Sequence, residues 1–384
     1  MKILAIETSC DETGIALLEA SGGLKNPRFK VLKNVVASQI IVHREFGGVV
    51  PNLAKRDHLR NLPILLSKLQ PFVSKLDFDF IAVTVGPGLE PALWAGIEFG
   101  KTLSESLGIP IIGANHLEGH LYSFLLPKPG QNKKVSRKGQ PAKTKDLFPA
   151  VALIVSGGHT ILLKMDSLSK WRRLGETRDD AAGEAFDKVA RMLELPYPGG
   201  PEIEKLARTG NPQAITFPRP MIHEKNYEFS FSGLKTAVLY YIRDMGYEVR
   251  DKFKARFPDS QLQNSPIPQN NSAKRDKPLP PSPTPSIADV AASFQQAAID
   301  VLIAKTLRAA EEYSAQSVIL CGGVAANKKL RKDMERAAKN KGLRFLVPEF
   351  KYNLDNAAMI GTAGYMAHLR KKKYKFEANG TLEI

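Results

Sequence analysis

The sequence has 384 residues, 43% hydrophobic and 24% charged, enough chain for two or three domains around a sizeable core. Lys and Arg exceed Asp and Glu by 16, which excludes an acidic, self-solvating chain and points to a polyanionic partner. No apolar run reaches the ~20 residues of a bilayer span, the run from Ile3 to Ile6 is too short for a secretory signal, and Cys10 and Cys321 make no disulfide framework. The expected compartment is the cytoplasm, with no membrane.

Residues 3–19 (ILAIETSCDETGIALLE) predict a strand, a polar turn and a second strand. A strand is expected at 80–85, then a structural turn at Gly86-Pro87-Gly88, a helix from about 90 to 107 and a strand at 109–112. In His116-Leu117-Glu118-Gly119-His120, two imidazoles stand at i and i+4 on one helix face, a spacing suited to two cis ligands of one transition metal. Glu118 lies two residues after the first histidine, not one, so it does not occupy the position of a zinc-protease base. A third ligand must come from elsewhere, and Asp355 is the candidate.

The second half repeats this grammar. Residues 150–165 (AVALIVSGGHTILLKM) read as strand, Ser-Gly-Gly turn and strand. A helix is expected at 288–313, a strand at 317–320, a Gly322-Gly323 loop and a helix from Asn327. Strands alternating with helices predict an α/β protein of two duplicated mixed-sheet lobes with a ligand cleft between them. The paired glycines at 157–158 and 322–323, with the polar hairpin 8–14, can bring backbone N–H groups against an anion. In residues 179–193, Asp180, Glu184 and Asp187 form a carboxylate row beside an apolar face. Either the row faces solvent, or Asp187 accepts hydrogen bonds from a ribose or a ligand amine; Gly200, in the turn 197–201, could then lie against the ligand.

The basic excess is concentrated. Residues 127–147 hold seven Lys or Arg against one acid, and residues 249–286 hold seven against three with eight prolines. Neither has an apolar period, so both predict insertions, serving as solubilising loops or as basic arms for nucleic acid. The block 370–375 (RKKKYK) carries the same two readings.

Taken together, these residues resemble the tRNA N6-adenosine threonylcarbamoyltransferase family, the TsaD type in bacteria, formerly regarded as an O-sialoglycoprotein endopeptidase. The resemblance rests on IETSCDETG (6–14), FGGVVPNLAKRDH (46–58), GPGL (86–89), NHLEGH (115–120) and SGGHT (156–160). It continues through DDAAGEAFDKVARML (179–193), PYPGGP (196–201), FSFSGLKTAV (229–238), GGVAAN (322–327) and DNAAMIG (355–361), and so covers nearly the whole chain. It implies the two-lobed actin, Hsp70 and sugar-kinase fold, with lobes at 1–124 (plus a C-terminal helix, about 356–384) and 125–355.

It also implies transfer of threonylcarbamoyl from threonylcarbamoyl-AMP to N6 of adenosine 37, in the anticodon loop of tRNAs reading ANN codons, with release of AMP. The implied metal ligands are His116, His120 and Asp355, holding iron(II) or zinc. The implied substrate-binding residues are Ile154, Val155, Ser156, Gly157, Gly158, Asp187, Gly200 and Asn327, and Asp11 and Glu12 lie at the reacting end. Glu204 stands where some members have an aspartate. A related non-catalytic subunit and a small ATPase, the TsaB and TsaE types, are implied partners. Glu90-Pro91 replaces the small residues usual after Gly-Pro-Gly. Because the substrate is already activated, no nucleophile of the protein's own is required, and none is recognisable. The competing readings are a zinc metalloendopeptidase, a sugar kinase or ATPase of the same fold, and a non-catalytic tRNA-binding scaffold.

Overall fold

The structure, a computed structural model, describes residues 1–69, 77–127, 144–245 and 285–384. Most of the two basic stretches, 127–147 and 249–286, therefore lies outside the described residues. Two five-stranded sheets form the frame. The first contains β1 (Lys2–Glu7), β2 (Glu12–Ser21), β3 (Arg28–Ser38), β4 (Phe80–Gly86) and β5 (Ile111–Asn115), in the order β3-β2-β1-β4-β5. The second contains β6 (Ala150–Val155), β7 (Thr160–Ser167), β8 (Lys170–Glu176), β9 (Ser317–Cys321) and β10 (Arg344–Leu346), in the order β10-β9-β6-β7-β8. Read from the opposite edge, the orders coincide. In both, the first hairpin is antiparallel and the fourth and fifth strands run parallel to the first. The expected duplication is thus present strand for strand.

The apolar runs explain the layering. In β1, Ile3 and Ala5 face one side, Leu4 and Ile6 the other, and all are buried, as a strand covered on both faces requires. The helices Pro51–Ser67 and Glu90–Leu107 cover one face through Leu62, Leu65 and Ile97. The helix Ala357–Arg370 returns from the end of the chain to cover the other through Met359, Ile360, Ala363 and Met366. In the second sheet Val151, Leu153 and Val155 pack beneath the helix Ile287–Glu312. That helix is long and apolar enough to cross a membrane, but Val290, Phe294, Ala297 and Val301 are buried in this core.

Helices start where the chain supplies caps. Asn115, Asn327 and Asn356 each accept a hydrogen bond from the backbone N–H three residues on, and Ser286 forms a capping box with Asp289. The His116–Tyr122 helix stands between the sheets, with Leu117 and Leu121 packed under the second and Tyr122 against the first.

The block 370–375 is not a free arm. Glu118, fully buried, accepts from Arg370, from Lys372 Nζ at 3.2 Å and from Tyr374 Oη at 2.7 Å. Farther on, Asn379 N–H donates to the Val85 carbonyl and Asn115 Nδ2 to the Glu383 carbonyl, each at 2.9 Å. Glu90 Oε1 accepts from Gly380 N–H at 3.4 Å, so this departure from the family pattern also holds the tail.

Close packing of the Ala357–Arg370 helix depends on glycine. A Cβ at Gly364 would lie 2.6 Å from Ala82 Cβ, with no flexible side chain to yield. Gly364→Ala should destabilise the protein by about 1–3 kcal/mol in urea melts, and an unchanged midpoint would refute this packing argument.

Candidate active site

The His116–Tyr122 helix aims both imidazoles at the segment before the Ala357–Arg370 helix. His116 Nε2 lies 3.6 Å and His120 Nε2 3.1 Å from Asp355 Oδ1, and the rings meet edge to face with centroids 4.7 Å apart. The nearest available nitrogen or oxygen of each residue lies within 4.8 Å of the other two. His120 is 1% exposed, yet among the described residues neither ring nitrogen has a hydrogen-bond partner, Nε2 meeting Asp355 off the line of a hydrogen bond. A buried imidazole without hydrogen bonds costs stability unless something else uses its lone pair. The three residues fit one metal ion.

Behind them stands a carboxylate not singled out from the sequence. Glu7, fully buried at the end of β1, accepts from Ser9 N–H at 2.5 Å and from Thr84 Oγ1 at 2.8 Å, and lies 3.2 Å from His116 Nδ1. A carboxylate accepts only, so Nδ1 carries the proton, with Ser9 Oγ also 3.0 Å away, and Nε2 keeps its lone pair for the ion site. Burial alone would lower the His116 pKa; Asp355 and Glu7 reverse this and hold it up at about 9. Burial would raise Asp355, but the imidazoles of His116, His120 and His159 hold it down at about 2. Without an ion the two carboxylates thus hold a second proton on His116, which an ion at Nε2 would displace. A single carboxylate ending an otherwise apolar buried strand was the available signal for Glu7.

The Ser156–Thr160 turn adjoins this cluster. His159 is pushed down to about 4 by burial and then by the charges of His116 and His120. The turn is closed by Ser156 N–H to the His159 carbonyl at 2.8 Å and by His159 N–H to Ser156 Oγ at 3.1 Å. Ile154 and Val155 are buried in β6 and support it from below. Gly322, at φ +94°, packs against the Val155 carbonyl, so that glycine is required by the fold. Gly157, Gly158 and Gly200 differ: none has a positive φ, and a Cβ there would meet nothing within 4 Å.

Asp187 Oδ1 accepts from Gly199 N–H at 2.7 Å and Gly200 N–H at 3.3 Å, which shapes the turn and leaves Oδ2 without a hydrogen bond among the described residues. Its neighbours in the carboxylate row are paired instead with lysines. Asp180 meets Lys188 at 2.5 Å and Lys235 at 2.7 Å, and Glu184 meets Lys188 at 2.9 Å. Asn327 Oδ1 caps its helix by accepting from Leu330 N–H at 2.9 Å, and Nδ2 donates to Gln295 Oε1 at 2.7 Å. Both ends of that amide are therefore engaged within the chain. Glu204 Oε1 accepts from Lys328 N–H at 3.2 Å, joining two helices.

Asp11 and Glu12, from the first hairpin, face the same space. The Tyr197 phenol is pushed up by burial and then by Asp11, Cys10, Asp187 and Glu12. Burial, followed by the charges of Asp11 and Asp355, raises Glu12 well above the usual carboxylate range. The lobes also touch where Arg44 Nε donates to the Tyr197 carbonyl at 3.2 Å and where Arg191 donates to the Gly47 carbonyl. One cleft therefore gathers the ion triad, the glycine turns and the acidic hairpin.

Replacing Glu7 by Gln should weaken ion binding about 10–100-fold in chelator competition; wild-type affinity would remove Glu7 from the site.

Among solved structures, full-length HypF, in its phosphate- and nucleotide-bound form, is 11% identical, with a TM-score of 0.53 over 98% of this chain and 56% of that one, a likeness of fold. A tRNA N6-adenosine threonylcarbamoyltransferase of Moorella thermoacetica is 46% identical over 96% of this chain and 92% of its own. That of Thermosipho melanesiensis is 45% identical over 95% and 94%. With a family profile of tRNA N6-adenosine threonylcarbamoyltransferase also matching residues 30–362, this chain belongs to that family.

Proposed function

We propose that this cleft transfers the threonylcarbamoyl group of threonylcarbamoyl-AMP to N6 of adenosine 37 in tRNAs reading ANN codons. The observation that carries the reading is the convergence of the His116, His120 and Asp355 triad with the Ser156–Thr160 turn through His159. Gly157, Gly158 and Gly200 support it, because no packing or positive-φ demand among the described residues explains them. They leave room for a nucleotide, whose ribose can reach Asp187 Oδ2. Ile154, Val155, Ser156 and Asn327 act by holding these loops.

In the transfer, the N6 amine attacks the carbonyl carbon of the mixed anhydride. The N–C bond forms, the bond from that carbon to the phosphate oxygen breaks, and AMP leaves with the electron pair. The amine proton passes to the Asp11–Glu12 pair, the carboxylates that face this space. N–H groups of the glycine turns bear the charge developing on the phosphate. His116, His120 and Asp355 would hold an ion that would supply Lewis-acid stabilisation; two imidazoles and one carboxylate suit iron(II), with zinc the other choice. The target base is in a loop, so presenting it costs little unstacking.

A metalloendopeptidase reading is disfavoured because Glu118 is buried against three donors and cannot serve as a base at the ion. The division into lobes 1–124 with 356–384, and 125–355, is supported by the Ala357–Arg370 helix lying on the first sheet. Exposed Ile41, Phe46, Leu59 and Ile64 offer apolar surface to a related non-catalytic subunit, with a small ATPase as a further partner. A tRNA substrate supports a cytoplasmic location.

Purified chain given threonylcarbamoyl-AMP, unmodified tRNA and these partners should form the modified nucleoside and AMP in equal amounts. Asp11→Asn should slow that reaction at saturating substrate, and absence of product with wild-type protein would reject the assignment. Gly158→Ala should leave the melting midpoint in place while raising KM for threonylcarbamoyl-AMP about tenfold; an unchanged KM would move the nucleotide away from this turn.

A further inference from the structure

A buried chain of neutral hydrogen bonds runs from the helices at 40–67 to the acidic hairpin. Val50 N–H donates to His43 Nδ1 at 3.3 Å, so His43 Nε2 carries the proton and donates to Gln39 Oε1 at 3.1 Å. That fixes the Gln39 amide, whose Nε2 donates one hydrogen to the Ala54 carbonyl at 3.3 Å and shares the other between Thr13 Oγ1 at 3.5 Å and His58 Nδ1 at 3.3 Å. Thr13 Oγ1 also donates to His58 Nδ1, at 2.8 Å. His58 Nε2 lies 2.9 Å from the Cys10 carbonyl oxygen. A carbonyl only accepts, so Nε2 must be the protonated nitrogen of His58. The Gln39 main-chain N–H donates to the Asp11 carbonyl at 2.9 Å. Thr13, Gln39, His43 and His58 are all at most 2% exposed. Every donor and acceptor direction in the chain is consistent with the next, and none requires a charge.

We propose that His58 is a positioning residue. Its neutral imidazole, in the Nε2–H tautomer, pins the Cys10–Thr13 turn to the Pro51–Ser67 helix and so aims the Asp11–Glu12 pair into the cleft. This deepens the reading of that pair as proton acceptor and rests on it. Burial keeps His58 below its usual pKa against the opposing pull of the Cys10 carbonyl, Glu7, Asp11 and Asp57, in keeping with a neutral ring.

The two nitrogens can be tested separately. In His58→Gln the amide nitrogen reaches the Nε2 position and keeps the donor to Cys10. In His58→Asn the amide oxygen takes the Nδ1 position, keeping the acceptor for Thr13 and Gln39 but losing that donor. The full chain, ion-loaded and with its partners, should keep kcat within about threefold as His58→Gln and lose about 10–100-fold as His58→Asn. KM for threonylcarbamoyl-AMP should be unchanged in both, and both should lose similar thermal stability. Hydrogen exchange of the Gln39 amide reports the turn without reference to activity; protection should fall only in His58→Asn. Equal kcat in the two variants, with Gln39 protection intact in both, would overturn the proposal. Lost protection in His58→Asn at wild-type kcat would sustain the positioning role and instead remove Asp11 and Glu12 as proton acceptors.

Discussion

Asp355 lies against two imidazoles that come from a helix more than two hundred residues earlier, and a buried carboxylate is costly unless opposite charge or an ion meets it. That contact joins the segment leading into the Ala357–Arg370 helix to the helix that stands between the sheets. Behind it Glu7, with Ser9 Oγ, faces His116 Nδ1 and so turns the other nitrogen toward Asp355. A one-residue slip of β1 against β2 or β4 would turn Glu7 to the opposite face. The chemistry of the cleft and the register of the first sheet are therefore set by the same few atoms.

The glycines of the cleft fall into two physical classes. Gly183, Gly199 and Gly322 are crowded, each with a hypothetical Cβ within 2.6 Å of another part of the chain. They let the loops approach one another. Gly157, Gly158 and Gly200 face open space among the described residues, so packing there does not require the lack of a side chain. The loops of the second lobe are thus packed on one another through crowded glycines, while the open ones add no bulk to the cleft.

Much of this was legible in the sequence because local rules sufficed. The hairpins announced themselves as apolar runs about polar turns, and the i, i+4 histidine pair falls on one face of any helix. Asp355 was reachable as a third ligand, though its distance from the histidines in sequence gave no geometry. The edge strands β3 and β8 were not read, since RFKVLKNVVAS and KWRRLGE interleave charges with apolar residues and have one solvated side. Asp180, Glu184 and Asp187 read as a row that either faces solvent or offers Asp187 to a ligand. The Glu184–Lys188 pair at i, i+4 is local, whereas the fold brings Lys188 and Lys235 to Asp180. The role of Asn327 as a helix cap competes with the side-chain contact expected from the family. His159 was visible within a motif, but nothing local places its ring beside His116 and His120.

The clasp of Arg370, Lys372 and Tyr374 on Glu118 has a bearing on biosynthesis. These residues, with Asn379 and Glu383, leave the ribosome after nearly everything they touch. The helix bearing the histidines can be made, and its sheet nearly completed, while the carboxylate inside it still lacks its cations and Asn115 lacks the Glu383 carbonyl. A nascent chain would hold that helix only loosely until the segment 370–383 has emerged to supply these contacts.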